Sequence, residues 1–209
     1  MAETLLMCSP EGFAVNYEIN PWMSGQVGRI SRPLADEQWR LLYRRLAALA
    51  DVEVMDGDPA WPDLVFTANA GLPLPERKIF VLANFRHPQR QGEKAVNRRW
   101  FEAHAWRCVE LDAAISFEGA GDALLDSAGR LFVADGLRTD RAAAEHLSAY
   151  ITGPMHALRL IDPAFYHLDT CFCPLARGYA LYLTQAFDAA SQDLLRRSFG
   201  ERLIALTRL

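Results

Sequence analysis

Short apolar runs alternate with amphipathic stretches along this chain of 209 residues, and no other feature narrows its fold as much. Residues 4–8, 52–55, 64–67, 79–83, 108–111, 131–134, 158–161 and 179–183 are apolar runs of strand length. Residues 36–50 carry Trp39, Leu42, Leu46 and Leu49 at three- and four-residue spacing, which predicts a helix. The same reasoning predicts helices over 93–105, with Val96, Trp100 and His104 on one face, and over 140–151, entered through Thr139 or Asp140. A fourth helix is predicted over 188–199, opened by Asp188 and closed by Gly200, with a strand starting at 202–206. The order strand, strand, helix, strand recurs, so the expectation is an α/β fold built of similar units. No Gly/Ser linker or charged tract divides it, which predicts a single domain over 1–209. The last strand ends almost at the C-terminus, so the array is expected to be cut short.

Composition then removes whole function classes. Apolar residues at 51% and charged residues at 23% suit a soluble globular unit. A net charge of -4 leaves no basic excess for a nucleic-acid partner. No apolar stretch approaches a membrane span, and Leu5-Leu6-Met7-Cys8 is too short for a signal peptide. Four cysteines, Cys8, Cys108, Cys171 and Cys173, are too few for a disulfide scaffold, so a reduced, cytoplasmic chain is expected. The spacing of His167, Cys171 and Cys173 does not match a zinc site, and no metal is expected.

Four polar segments carry the chemistry. In Tyr166-His167-Leu168-Asp169-Thr170-Cys171-Phe172-Cys173 an imidazole and a carboxylate stand two residues apart. On an extended strand they share a face, an arrangement suited to a cationic substrate that exchanges protons. A hydrogen-bonded core histidine is the plainer alternative. Asp63 and Asn69 bracket the apolar Leu64-Val65-Phe66 and are equally compatible with turn capping. Arg86 and Arg90 follow a strand end, where either could grip a carboxylate bidentately or merely decorate a helix start. Arg138 stands just before a helix with the same two readings. Glu118-Gly119-Ala120-Gly121-Asp122 combines two glycines, which permit close backbone approach, with carboxylates able to orient an imidazole or hold a guanidinium. It lacks the lysine of a phosphate loop.

Together these segments, in this order, resemble the guanidino-group-modifying superfamily. The opening stretch from Met7 to Met23, with Cys8-Ser9-Pro10 and Asn16-Tyr17-Glu18-Ile19-Asn20-Pro21-Trp22, is similar to its dimethylarginine dimethylaminohydrolase-like and arginine dihydrolase-like branch. The resemblance covers essentially the whole chain. It implies a pentein fold, an α/β propeller of ββαβ modules, here incomplete and lacking the last module. It implies Asp63 and Asp169 as carboxylates for the guanidinium, His167 as the general acid/base and Glu118 as its charge partner. Asn69 would lie near the reacting carbon, and Arg86, Arg90 and Arg138 are candidates for a substrate carboxylate. The implied reaction is hydrolysis at the guanidino carbon of arginine or a methylated arginine, or amidino transfer from it, without a cofactor. The family's nucleophilic cysteine belongs to the last module, and none of the four cysteines matches it. The chain is therefore expected to be inactive alone and prone to homo-oligomer formation through unpaired strand edges, or to act as a non-catalytic binder of guanidino ligands.

Overall fold

The computed structural model describes residues 4–207. It opens with β1 (Thr4–Cys8), α1 (Arg32–Ala47) and β2 (Asp51–Met55). There follow β3 (Gly71–Leu74), β4 (Ile79–Leu82), α2 (Pro88–Gln91), α3 (Glu93–Ala103) and β5 (Arg107–Val109). Next come β6 (Ala123–Leu125), β7 (Leu131–Asp135), α4 (Ala142–Leu147) and β8 (Met155–Arg159). The described chain closes with β9 (Phe172–Pro174), β10 (Ala180–Leu183), α5 (Ala189–Phe199) and β11 (Leu203–Leu206). Three groups are thus antiparallel hairpins followed by a helix and a third strand parallel to the middle one. The first group is the βαβ part of the same unit, with β1 parallel to β2. The fold is α/β with several small sheets, as the repeating order predicts.

Strand alternation explains how the units adhere. On β7, Leu131 and Val133 pack with Ala143 and Leu147 of their own helix, while Phe132 and Ala134 join the cluster of the next unit around Phe172, Leu195 and Phe199. On β4, Phe80 and Leu82 pack on Phe101 of α3, while Ile79 and Val81 join the cluster shared with β7. One face of each middle strand covers its own helix and the other glues the following unit, because side chains alternate across a strand. These middle strands are buried on both faces and read as continuous apolar runs. That is why they were legible in the sequence. The hairpin partners β3, β6 and β9 are three or four residues long, and two of them contain proline, so no run announced them.

Three local expectations are corrected. Residues 64–67 do not form a strand. Pro62–Val65 and Thr67–Ala70 are successive 3-10 turns, with the Phe66 N–H bonded back to the Asp63 carbonyl at 3.0 Å. His167 and Asp169 are not on a strand either. His167 precedes a 3-10 turn, Leu168–Thr170, and β9 starts only at Phe172. The helix expected over 140–151 shrinks to Ala142–Leu147, and neither Thr139 nor Asp140 caps it with a side chain. The Asp140 carboxylate is turned outward instead, accepting the Ser116 N–H at 2.8 Å and pairing with Arg86. The Asp188 cap, by contrast, forms as read: its side chain accepts the Ser191 N–H at 2.8 Å. Among the described residues no helix is long and apolar enough to cross a membrane.

Candidate functional site

Each hairpin unit is entered through a 3-10 turn just before its first strand: Thr67–Ala70, Gly119–Gly121 and Leu168–Thr170. The equivalent position of three units therefore falls in one place, and the Gly119–Gly121 turn touches both of the others there. Glycine allows the contact. Gly119 has φ +66°, and a Cβ on it would lie 2.7 Å from the Gly71 nitrogen. A Cβ on Gly121 would lie 2.2 Å from Asn69 Nδ2. The three turns deliver Asn69, Glu118 and His167 to a common centre.

Asp63, Asn69, Arg90, Arg138, His167 and Asp169 all line one cavity of about 420 Å³, a size typical of small-molecule sites. Its outer wall is apolar and aromatic, built from Phe13, Ile19, Trp22, Phe66 and Tyr166. A shallower groove of about 610 Å³ around Lys94, Arg98 and Glu110 shares none of these residues and gathers no comparable chemistry.

His167 sits between two carboxylates at the back of the cavity. Its Nε2 lies 3.3 Å from Glu118 Oε2 and 3.3 Å from Asn69 Nδ2. Its Nδ1 lies 3.1 Å from Asp122 Oδ2, off the line of an ideal hydrogen bond. All four side chains are at most 7% exposed. Burial alone would push the imidazole towards neutrality, but Asp122 and Glu118 overcome it and raise the His167 pKa to about 9. Burial likewise works against ionised Glu118, yet His167, Arg138 and Arg90 lower its pKa to about 2. Arg138 Nη1 donates to Glu118 Oε2 at 2.9 Å, Nη2 donates to the Ile19 carbonyl at 2.9 Å, and the guanidinium lies 4.7 Å from the Tyr166 ring centre.

A second cluster surrounds Asp63. Arg90 forms a two-pronged pair with Glu93, at 2.8 and 2.9 Å, and donates to Asn69 Oδ1 at 3.2 Å and the Asp63 carbonyl at 3.2 Å. The Asp63 carboxylate stands 3.9 Å from Arg90 Nε. Burial raises its pKa above the usual carboxylate range, and Arg90 offsets only part of that. The Tyr17 hydroxyl is buried beside Asp63, short of a well-formed hydrogen bond, and its pKa is raised by burial and by that carboxylate. Asp169 opens towards the cavity solvent but is ringed by protein, and desolvation lifts its carboxyl to about 6 against the pull of His167.

The structure thus brings together seven of the eight side chains singled out from the sequence, with Glu118 behind the cavity wall rather than in it. Arg86 is the exception. Its guanidinium is half-exposed and pairs with Asp140 at 2.5 Å, and it does not line the cavity. None of the four cysteines lines it either. Cys171 is buried, points its Sγ at the His167 and Leu168 carbonyls, and is pushed up to about 12 by desolvation, which makes it a poor thiolate. Among the described residues no group of three or more His, Cys, Asp or Glu is arranged to hold a metal ion. Sequence reasoning missed Glu93, three residues after Arg90 and so on its face of the helical turn, a spacing that signals an ion pair. It also read Thr139 only as a helix cap, whereas its hydroxyl bonds Asp122, and gave Tyr17 no role at the site.

No protein-family model matches the chain. The bifunctional arginine dihydrolase/ornithine cyclodeaminase AgrE of Nostoc sp. is 47% identical over 203 residues, covering 96% of this chain and 29% of that protein. The chain therefore spans less than a third of that relative. The dimethylarginine dimethylaminohydrolase of Mycobacterium tuberculosis is 34% identical, covering 95% of this chain and 64% of the relative. Among solved structures, the N-terminal domain of the cyanobacterial arginine dihydrolase ArgZ, a cysteine-to-serine variant bound to substrate, superposes with a TM-score of 0.94 at 41% identity. That match covers 97% of this chain and 75% of the domain. A dimethylarginine dimethylaminohydrolase adduct shares the fold at a TM-score of 0.75 and 18% identity.

Proposed function

Since the chain belongs to the guanidino-group-modifying (pentein) superfamily, we propose that its cavity binds L-arginine through the guanidinium and serves hydrolysis at the guanidino carbon. The observation that carries this reading is the convergence of Asp63, Asp169, Asn69 and His167 on one cavity that also holds Arg90 and Arg138. Five carboxylates, Asp63, Glu93, Glu118, Asp122 and Asp169, face three cations, Arg90, Arg138 and protonated His167. Asp63 and Asp169 line the cavity, and burial raises the pKa of both, as it does that of Glu93, which Arg90 already pairs. A planar guanidinium supplies the missing positive charge and offers paired N–H donors to both.

In this reading Asp63 and Asp169 clasp the guanidinium and Asn69 lies beside its central carbon. His167 gives its proton to the departing nitrogen and takes one from the water that follows. Glu118 keeps the imidazole charged until that first transfer. Arg138 and Arg90, which line the cavity, are better placed than Arg86 for an α-carboxylate, so arginine or a methylated arginine fits better than agmatine. The guanidino carbon is a poor electrophile and its attack calls for a thiolate. No thiol faces the cavity among the described residues, so binding is assigned to these groups and turnover to a thiol brought against them. A cysteine-to-alanine variant of AgrE has been seen in a binary complex with L-arginine, which supports treating binding and thiol chemistry as separable.

Calorimetry tests the reading. Heat of binding is expected with L-arginine, with a weaker signal for agmatine, which lacks the carboxylate, and for citrulline, which lacks the cation. Ammonia, citrulline and ornithine release measured alongside reports turnover. No heat with arginine, or equal heat with citrulline, overturns the proposal. Binding without product assigns this chain the role of a guanidino-ligand binder.

A further inference from the structure

We propose that Asp122 is a positioning residue that fixes the tautomer of His167, so that Nδ1 stays protonated and Nε2 alone exchanges its proton. The proposal builds on the acid/base role given above to His167, and goes beyond it by naming which nitrogen works and what selects it.

Asp122 is itself held on all sides. It is 1% exposed. Its Oδ1 accepts the Leu168 N–H at 3.1 Å, and its Oδ2 accepts the Thr139 hydroxyl at 2.6 Å. The Thr139 oxygen in turn accepts the Glu118 N–H at 3.0 Å, so its single proton is left for Asp122. Gly121 brings this turn flat against the ring: a Cβ there would lie 3.4 Å from His167 Nδ1. The carboxylate therefore has no freedom to leave Nδ1. A lone pair on Nδ1 facing a buried carboxylate is repulsive, whereas an N–H there is attracted.

The other nitrogen faces two partners with opposite demands. Asn69 Nδ2 is a donor and Glu118 Oε2 an acceptor, each 3.3 Å from Nε2. Asn69 cannot turn its amide over, because Arg90 donates to Oδ1 at 3.2 Å while Nδ2 reaches the Glu118 carbonyl at 3.4 Å. With Nδ1–H held by Asp122, the charged ring donates from Nε2 to Glu118, and the neutral ring accepts at Nε2 from Asn69. Both charge states are thus provided for without ring rotation. The remaining charges around the ring are Arg138 behind Glu118, Arg90 behind Asn69, and Asp169 on the ring's own turn. None of them touches Nδ1. In the reaction the ring loses its Nε2 proton to the departing nitrogen and regains one there from water, while the Nδ1 proton never moves.

Long-range ¹H–¹⁵N spectra of the histidine rings in the intact chain test this, with His167 identified by its loss in His167→Gln. Above its titration midpoint His167 is expected as the Nδ1–H tautomer. Asp122→Asn is expected to lower the midpoint by more than about one pH unit and to populate the Nε2–H form. Thr139→Val is expected to move both in the same direction by less, and it stands in should Asp122→Asn fail to fold. An Nε2–H tautomer in the unsubstituted chain, or a midpoint and tautomer unmoved by Asp122→Asn in a folded protein, overturns the proposal. Arginine calorimetry on the same samples separates the two readings. Absent binding with the Nδ1–H tautomer intact refutes the function alone, and binding with the wrong tautomer refutes the Asp122 role alone.

Discussion

Raising the pH from 6.5 to 9 should remove a sizeable part of this protein's stability through one residue. His167 has its pKa raised from 6.5 to about 9 in the folded state, by Asp122 and Glu118 acting against burial. A group whose folded pKa lies above its unfolded value binds more protons folded than unfolded between the two. Its contribution is therefore complete below the unfolded value and is lost as pH rises through the folded one. A shift of about two and a half units at about 1.36 kcal/mol per unit gives roughly 3 kcal/mol. The imidazole is 5% exposed, so solvent screening does not discount it appreciably. The buried carboxyls Asp63, Glu93 and Asp169, whose pKa values burial raises, are present in wild type and in His167→Gln, so the difference between the two profiles isolates His167. His87 and His156 have lowered values and act below 6.5, and Cys8 and Cys171, raised to about 12, begin to matter only above the ordinary thiol value of 9.0. Urea unfolding followed by tryptophan fluorescence at pH 6.5, 7.5 and 8.5 should show the loss accumulating with a constant m-value. His167→Gln should be nearly flat over the same range. A wild-type profile flat to within about 1 kcal/mol, or an equal slope in His167→Gln, refutes the two-carboxylate clamp.

Asp63→Asn should weaken arginine binding by roughly ten- to a hundredfold, the worth of a charge-assisted hydrogen-bonded pair of about 1.5–3 kcal/mol, and calorimetry reads it directly. Gly121→Ala should impair arginine binding more than it lowers Tm, because its Cβ would intrude to 2.2 Å from Asn69 Nδ2 in the middle of the site; unchanged affinity would show that the turn can move aside. Arg86→Ala should leave arginine affinity within about twofold and cost at most about 1 kcal/mol of stability, since its pair with Asp140 is half-exposed. Phe132→Ala should cost about 3–5 kcal/mol in urea unfolding, because that fully buried ring joins β7 to the following unit against Phe172 and Phe199.

Legibility in the sequence followed burial. The middle strands β4, β7 and β10 and the helices α3 and α5 were readable because both strand faces, or one helix stripe, must be apolar. The 3-10 turns were not. Leu64, Val65 and Phe66 look like a strand in isolation, but they lie in and beside a 3-10 turn opened by Pro62, and the next turn, Thr67–Ala70, packs against Gly119–Gly121. The Tyr166–Cys173 segment misled in the same way, although His167 and Asp169 still reach one cavity.

The residues alone determined the α/β repeat, because apolar periodicity is a local property, and the family resemblance of the polar segments singled out the side chains proposed here to handle a guanidinium. Which of those side chains meet was decided by tertiary structure. Arg86 and Arg90 lie four positions apart in one polar segment, yet one is turned to Asp140 outside and the other, on α2, is buried between Glu93 and Asn69. Glu118 and Asp122 end on opposite nitrogens of one imidazole because two glycines let their turn lie against a ring 45 or more residues further along the chain. Convergence of this kind depends on how units stack, and stacking is set by burial summed over the whole chain rather than by any segment's own pattern.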